Sequence, residues 1–210
     1  MGSHIKCIAI SRQQGSGGSY IGRAVAERLG FLYFDRAMLR TVAEYLNGEQ
    51  HSDTKDKQPA KSWFERLGGL LCQGSLEAGY IPPSPAIYDG DLIGIENRLI
   101  HEIADDHVAV IVGRGAAQML RGRPGAVTVF VHAPEAWRVE RVQQVYKTAD
   151  AAQALRMVRH SDEERTRFIR NVAKVDWTDP RGYDLTIDSM TLGLHASVDL
   201  IVQSVTTASA

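Results

Sequence analysis

Apolar side chains in this chain gather in short, nearly unbroken runs, and between the runs they recur every three or four residues. The runs cover residues 5–10, 31–34, 108–112, 126–131 and 183–187. Runs without alternation are what strands buried on both faces require. Helical spacing is clearest in Gly18–Leu29, where Ile21, Ala24, Val25, Ala26 and Leu29 are apolar and Gly30 stops the helix. A second helix follows Asp35, with Met38, Leu39, Val42 and Leu46 apolar, and ends near Asn47-Gly48. Further helices are expected over 92–103, from Gly115 to about Leu120, after Ala133-Pro134-Glu135 with the proline in the first turn, over 149–174 and over 197–205. Strands alternating with helices predict an α/β fold, a five-stranded parallel sheet flanked by helices. Ligands in such sheets bind beyond the carboxyl ends of the strands.

Between residues 47 and 91 this pattern fades. A polar loop is expected over 49–61, a short helix over 63–71 and irregular Gly- and Pro-rich chain over 74–85. The segment reads as an insertion within one domain of 210 residues.

Composition narrows the function classes. With 44% hydrophobic and 23% charged residues the chain has enough apolar side chains for a sizeable core. A net charge of −1 argues against a general nucleic-acid binder. Cys7 and Cys72 are too few for a disulfide framework or a metal cluster, and Cys7 lies in an apolar run. The seven histidines show no ligand spacing. No apolar stretch approaches the roughly 20 residues that span a bilayer, and no signal-peptide pattern is visible. The expectation is a soluble cytoplasmic protein without membrane or nucleic-acid partners; Met1-Gly2-Ser3-His4 reads as an expression remnant and carries no weight.

The chemistry concentrates where the first run meets the first helix, at Arg12-Gln13-Gln14-Gly15-Ser16-Gly17-Gly18-Ser19. A strand, a glycine-rich loop and a helix N-terminus read as a phosphate cradle in preference to a plain flexible turn, because glycine lets backbone N–H groups approach phosphate oxygens and the helix end adds positive potential. Against the pattern G-x-x-x-x-G-K-[ST], Arg12 takes the first glycine's place and Gly18 the lysine's. Gly15, Ser16, Gly17, Gly18 and Ser19 are the candidate phosphate-binding residues, and Ser19 or Ser16 supplies a hydroxyl for magnesium. The cation missing at Gly18 must come from elsewhere, with Arg12 and Arg23 the nearby candidates. The spacing does not match the dinucleotide pattern G-x-G-x-x-G.

Arginines recur later. Arg114, between Gly113 and Gly115 at the end of the third run, reads either as a cation that holds a phosphate or as the solvated residue of a tight turn. Arg156, Arg159, Arg165, Arg167 and Arg170 crowd one helical segment. They read either as a lid that brings cations to a transferring phosphoryl group or as a solvated face paired with Asp162, Glu163 and Glu164. Ser161 and Glu164 have the spacing of a capping box, so a helix start near Asp162 is a further reading. Asp35 reads as a helix N-cap or as a substrate or magnesium-shell contact. Trp63 and Trp177 read as packing residues, although Trp177-Thr178-Asp179-Pro180 leads toward the fifth run and the expected nucleotide site.

Four blocks in order resemble the cytidylate kinase-like family: 10–18, Tyr33-Phe34-Asp35-Arg36, 110–116, and Asp176-Trp177-Thr178-Asp179-Pro180 through Tyr183-Asp184-Leu185. The resemblance runs from Ile5 to about Val202 and is weakest over 47–91. It implies a P-loop NTPase-type core with a helical acceptor-binding insertion (about 47–91) and a helical lid (about 149–174). It further implies ATP as donor, a pyrimidine monophosphate such as CMP or dCMP as acceptor, and a magnesium requirement. By position it implies that Arg40 and Arg114 hold the acceptor phosphate, that Asp162 contacts the acceptor sugar, and that Arg165 reaches the transferring phosphoryl. Arg12, Arg159 and Arg165 are then the candidate catalytic cations. The loop after Asp188-Ser189 would border the adenine. Gly115 stands where the well-characterised members have an aspartate, which leaves the acceptor base open. Two other readings remain: a kinase of another small molecule, and a non-catalytic nucleotide-binding partner protein.

Overall fold

Buried Val, Ile and Ala runs zip into one parallel sheet. The computed structural model describes residues 4–50, 90–147 and 150–208. Five strands, β1 (Cys7–Arg12), β2 (Leu32–Asp35), β3 (Ala109–Val112), β4 (Ala126–His132) and β5 (Leu185–Asp188), are ordered β2-β3-β1-β4-β5, each pairing parallel. Helices fill the connections: α1 (Gly18–Leu29), α2 (Arg36–Gln50), α3 (Gly90–Asp106), α4 (Ala116–Met119), α5 (Glu135–Tyr146), α6 (Ala151–Ala173), α7 (Ser189–Leu192) and α8 (Leu194–Ala208). The expected α/β architecture is therefore the observed one. The short helix expected over 63–71, Trp63 and most of the insertion lie outside the described residues.

The chain divides into two units, Met1–Asp35 with Ile100–Ala210, and Arg36–Leu99. The first holds the sheet. Ile8, Ile10, Val110, Val112, Val129 and Val131 pack with Ile21 and Val25 of α1 and Val198, Ile201 and Val205 of α8. Cys7, Ala9, Ile111 and Phe130, on the opposite face, are buried as well, and burial on both faces is what makes the central strands nearly uniformly apolar. In the second unit, α2 buries Leu39, Val42 and Ala43, and α3 buries Leu92, Ile95 and Leu99. Among the described residues no helix is long and apolar enough to cross a membrane.

Strand order fixes where the chain opens. The loop leaving β1 runs toward β2 on one side, whereas β3 lies beside β1 and its successor β4 lies on the other side. Loops that depart in opposite directions leave a crevice at the carboxyl ends of β1 and β3. Residues 13–17 and 113–115 border it.

Several local expectations need correction. The helix beginning at Ala151 is capped by Asp150, whose side chain accepts from the Ala152 N–H, and it runs unbroken to Ala173. Ser161 and Glu164 therefore sit mid-helix and form no capping box; α6 continues because its apolar face does. Pro134 precedes α5 as its N-cap with an extended ψ of 140°, rather than occupying its first turn. The second helix continues past Asn47-Gly48 to Gln50.

Candidate functional site

The glycine loop has the backbone that its composition predicts. Gly15 and Gly17 both have φ of 82°, a left-handed conformation that L side chains adopt at a cost. Space is equally restrictive. A Cβ on Gly15 would meet the Arg138 carbonyl oxygen at 2.6 Å, and one on Gly17 would meet Leu194 Cδ2 at 2.5 Å. The first turn of α1 carries no acidic side chain, and Gly17 gives it no side-chain cap. Its first N–H groups are thus a ready anion site. Ser16 is fully buried, and its hydroxyl donates to the Gln13 carbonyl at 2.9 Å. The Ser189 hydroxyl, 2.7 Å from the Ser16 carbonyl oxygen, braces the loop from α7. Ser19, one residue into α1, is exposed.

Arg12 explains the glycine at position 18. A Cβ there would fall inside the Arg12 Cβ and 2.9 Å from its Cγ. The Arg12 stem thus fills the space in which a side chain at position 18 would begin. At its far end the guanidinium lies against Gly113, where a Cβ would collide with Nη1 and stand 2.9 Å from Cζ. Glycines at 18 and 113 form a slot for one arginine, laid from the glycine loop to the end of β3. Arg23, the other candidate, stacks its guanidinium over the Tyr33 ring at 4.8 Å. Burial pushes the Tyr33 hydroxyl pKa up, Asp35 adds to that, and Arg12 and Arg23 oppose it.

A second cluster joins the loop to α6. Asp162 Oδ1 accepts from the Gln14 backbone N–H at 2.9 Å and from Arg165 Nη1 at 2.8 Å. Its Oδ2 accepts from Arg138 Nη1 at 2.6 Å. Arg138 is 6% exposed and also donates to the carbonyls of Ala133 (2.9 Å) and Gln14 (3.0 Å). Arg165 Nη2 reaches Gln14 Oε1 at 3.2 Å. The sequence reading missed Arg138. The available signal was a charge at i, i+4 from Val142, the other buried residue of α5. Arg141, also missed, lies over the Trp137 ring at 5.5 Å, with Nη2 3.4 Å from the space beside Gly17. Partial burial lowers its pKa, opposed by Tyr146 and Tyr20.

The turn after β3 is strained in sequence. Gly113, Arg114 and Gly115 have φ of 88°, 53° and 74°. A non-glycine residue there is held at some cost, of a kind that concentrates at functional sites. The Arg114 guanidinium stacks on Phe168 of α6 at 5.2 Å. Asp35 ends β2, paired in register with Val112. In the second unit, Arg40 binds Glu44 at 2.6 Å.

The arginines of α6 divide between the two readings. Arg159 is exposed and forms a two-point ion pair with Glu135 of α5, at 3.0 and 2.8 Å, which lowers the Glu135 pKa. Arg156 pairs with Asp150, and Arg167 with Glu163 and Glu164. These three belong to a solvated face; Arg165 alone of the candidate α6 arginines is seen on the loop. Trp177 is 1% exposed, packs edge-on against Phe130 and donates from Nε1 to Thr166 Oγ1 at 2.9 Å, as a packing residue should.

A parallel sheet of this order, with a glycine loop between its central strand and a helix, is the fold of the P-loop kinases. The chain belongs to the cytidylate kinase-like family, whose profile matches residues 7–191. A cytidylate kinase of Methanosarcina mazei is 27% identical over 138 residues, 66% of this chain and 75% of that protein. Among solved structures, an uncharacterized protein of Eubacterium ventriosum matches with a TM-score of 0.70 at 21% identity, over 96% of this chain and 98% of its own. Shikimate kinase of Bacteroides thetaiotaomicron matches with a TM-score of 0.50 at 15% identity, over 95% and 98%. The structural likenesses carry the fold; the family match carries the membership.

Proposed function

We propose that this protein transfers the γ-phosphoryl group of ATP to a nucleoside monophosphate, with CMP and dCMP as the leading acceptors. The observation that carries the reading is the Arg12 slot. The departure at Gly18 is matched by a cation whose stem fills the vacated space, so the loop has exchanged the origin of its positive charge rather than lost it. A module that only binds nucleotide has less need of such a cation, or of Arg165 beside the loop.

In this mechanism the amides of residues 15–19 cradle the donor phosphates. Magnesium suits the donor set: among the described residues no group of three or more His, Cys, Asp or Glu forms a cage, and magnesium commonly binds through phosphate oxygens, waters and one or two protein oxygens. Ser19 would supply that oxygen, since it is exposed in the first turn of α1 whereas Ser16 is fully buried. When bound, the ion offsets charge on the phosphates. Arg12 and Arg165 stabilise charge spread over the moving phosphoryl. An acceptor phosphate oxygen attacks the γ-phosphorus in line, the bond to the bridging oxygen breaks, and ADP and a nucleoside diphosphate result. Positioning and charge neutralisation carry the rate, without a strong base. Arg114 and Arg40 are proposed to hold the acceptor phosphate, and Asp35 to contact the acceptor or the magnesium shell.

A coupled ADP-release assay across CMP, dCMP, UMP, AMP and shikimate tests the reading. Turnover highest with CMP or dCMP is expected. Silence with every monophosphate would overturn it, and turnover with shikimate alone would establish the small-molecule kinase alternative.

A further inference from the structure

The Asp162 carboxylate occupies a position that a donor phosphate should want. It accepts the N–H of Gln14, the residue just before Gly15 in the cradle, and lies between two guanidinium groups. A loop built to bind anions is here binding one from its own chain. Gln14 is held on all sides: its carbonyl accepts from Arg138, and its side-chain oxygen faces Arg165 Nη2 and the Ser161 hydroxyl, at 3.2 and 3.4 Å. Two cations on one carboxylate leave the cluster net positive, so it retains attraction for a further anion.

We propose that Asp162 is a stand-in for the donor's terminal phosphate in the nucleotide-free protein. On ATP binding a γ-phosphate oxygen takes the Gln14 N–H and the facing sides of Arg138 and Arg165, and the carboxylate swings away. One N–H serves one strong acceptor, so the two anions exchange rather than coexist. The exchange adds the buried Arg138 to Arg12 and Arg165 at the phosphoryl group and leaves Asp162 available to the acceptor sugar. Until donor arrives the carboxylate also offsets part of the cluster's charge, because the buried Arg138 guanidinium without a carboxylate partner would be costly. The inference rests on the reading that the loop binds ATP.

Calorimetric titration with the non-hydrolysable analogue β,γ-imido-ATP and with inorganic tripolyphosphate tests it. Asp162→Asn removes the competing charge while keeping the shape, and is expected to tighten both ligands about tenfold or more. The KM for ATP should fall without a rise in kcat. A merely structural Asp162 predicts the opposite, a loosened loop and weaker binding. If the wild type binds no nucleoside triphosphate, the parent reading fails. If the wild type binds and Asp162→Asn binds equally or more weakly, the exchange is wrong and the parent reading stands. Should the variant not fold, carboxyl-carbon NMR of the wild type decides: the Asp162 resonance should move on saturation with β,γ-imido-ATP, and an unmoved resonance would overturn the exchange.

Discussion

A methyl group at position 18 should destabilise the protein only while Arg12 is present. In the wild type a new Cβ falls within the Arg12 Cβ and 2.9 Å from Cγ, against an ordinary carbon–carbon separation of about 3.5–4.0 Å. The obstructing atoms are the root of a side chain fixed on the central strand β1, so relief needs backbone movement. Overpacking of this kind costs about 1–3 kcal/mol. Gly18 is not among the positive-φ glycines, so alanine fits its backbone and returns about 0.4–1 kcal/mol by restricting the unfolded chain. Gly18→Ala alone should therefore lose between about 0 and 2.6 kcal/mol. In an Arg12→Gly background the obstruction is gone and the same change should stabilise by about 0.4–1 kcal/mol. The sign reversal is a coupling of about 1–3 kcal/mol, read from urea unfolding of the four proteins in the cycle. Coupling within about 0.5 kcal/mol of zero would refute the slot, and with it the account of why a lysine is absent. By the same geometry, Gly18→Lys alone should not raise turnover.

Other outcomes follow from the surrounding geometry. Arg159→Ala should leave both kcat and the unfolding midpoint unchanged, because its partner is Glu135 at the surface; a tenfold fall in kcat would return Arg159 to the catalytic set. Arg138→Met removes a buried partner of Asp162 and the donors to Ala133 and Gln14, and should cost about 3 kcal/mol in urea unfolding, the low end for a broken buried pair because Arg165 remains. Burial pushes the Cys7 thiol up to about 12 from 9.0, with Arg123 opposing. The unfolded chain thus ionises first, and stability should decline as pH rises from about 9 toward 12. In a Cys72→Ser variant, Cys7 should resist a thiol reagent at pH 8 until denaturant is added; rapid labelling of the folded protein would contradict its burial.

What the sequence made legible was whatever a periodic pattern or a glycine enforces. The bounds of α1 were readable because Gly17 and Gly30, both left-handed, bracket it. Strand ends were less so: β1 and β5 end one or two residues beyond their apolar runs, since Arg12 and Asp188 pair in the ladder as well as hydrophobic residues do. The false capping box had the right residues at the right spacing, but only the continuing helix decides that Ser161 caps nothing. The Arg12 slot was half readable. Both departures from the loop pattern were visible, whereas their steric dependence needed Gly18 and Gly113 brought to one side chain across the sheet. Arg138 was hidden because its partners, Gln14 and Asp162, lie 124 and 24 residues away.

The slot also changes when the cation becomes ordered. A lysine rooted on a helix end keeps much of its rotational freedom until a phosphate fixes it. Arg12 starts from a paired strand and is confined between two glycines as soon as the sheet forms. About 2 kcal/mol of rotamer entropy belongs to such a side chain. Much of that loss is charged to folding rather than to nucleotide capture, so a weaker electrostatic pull can yield the same affinity.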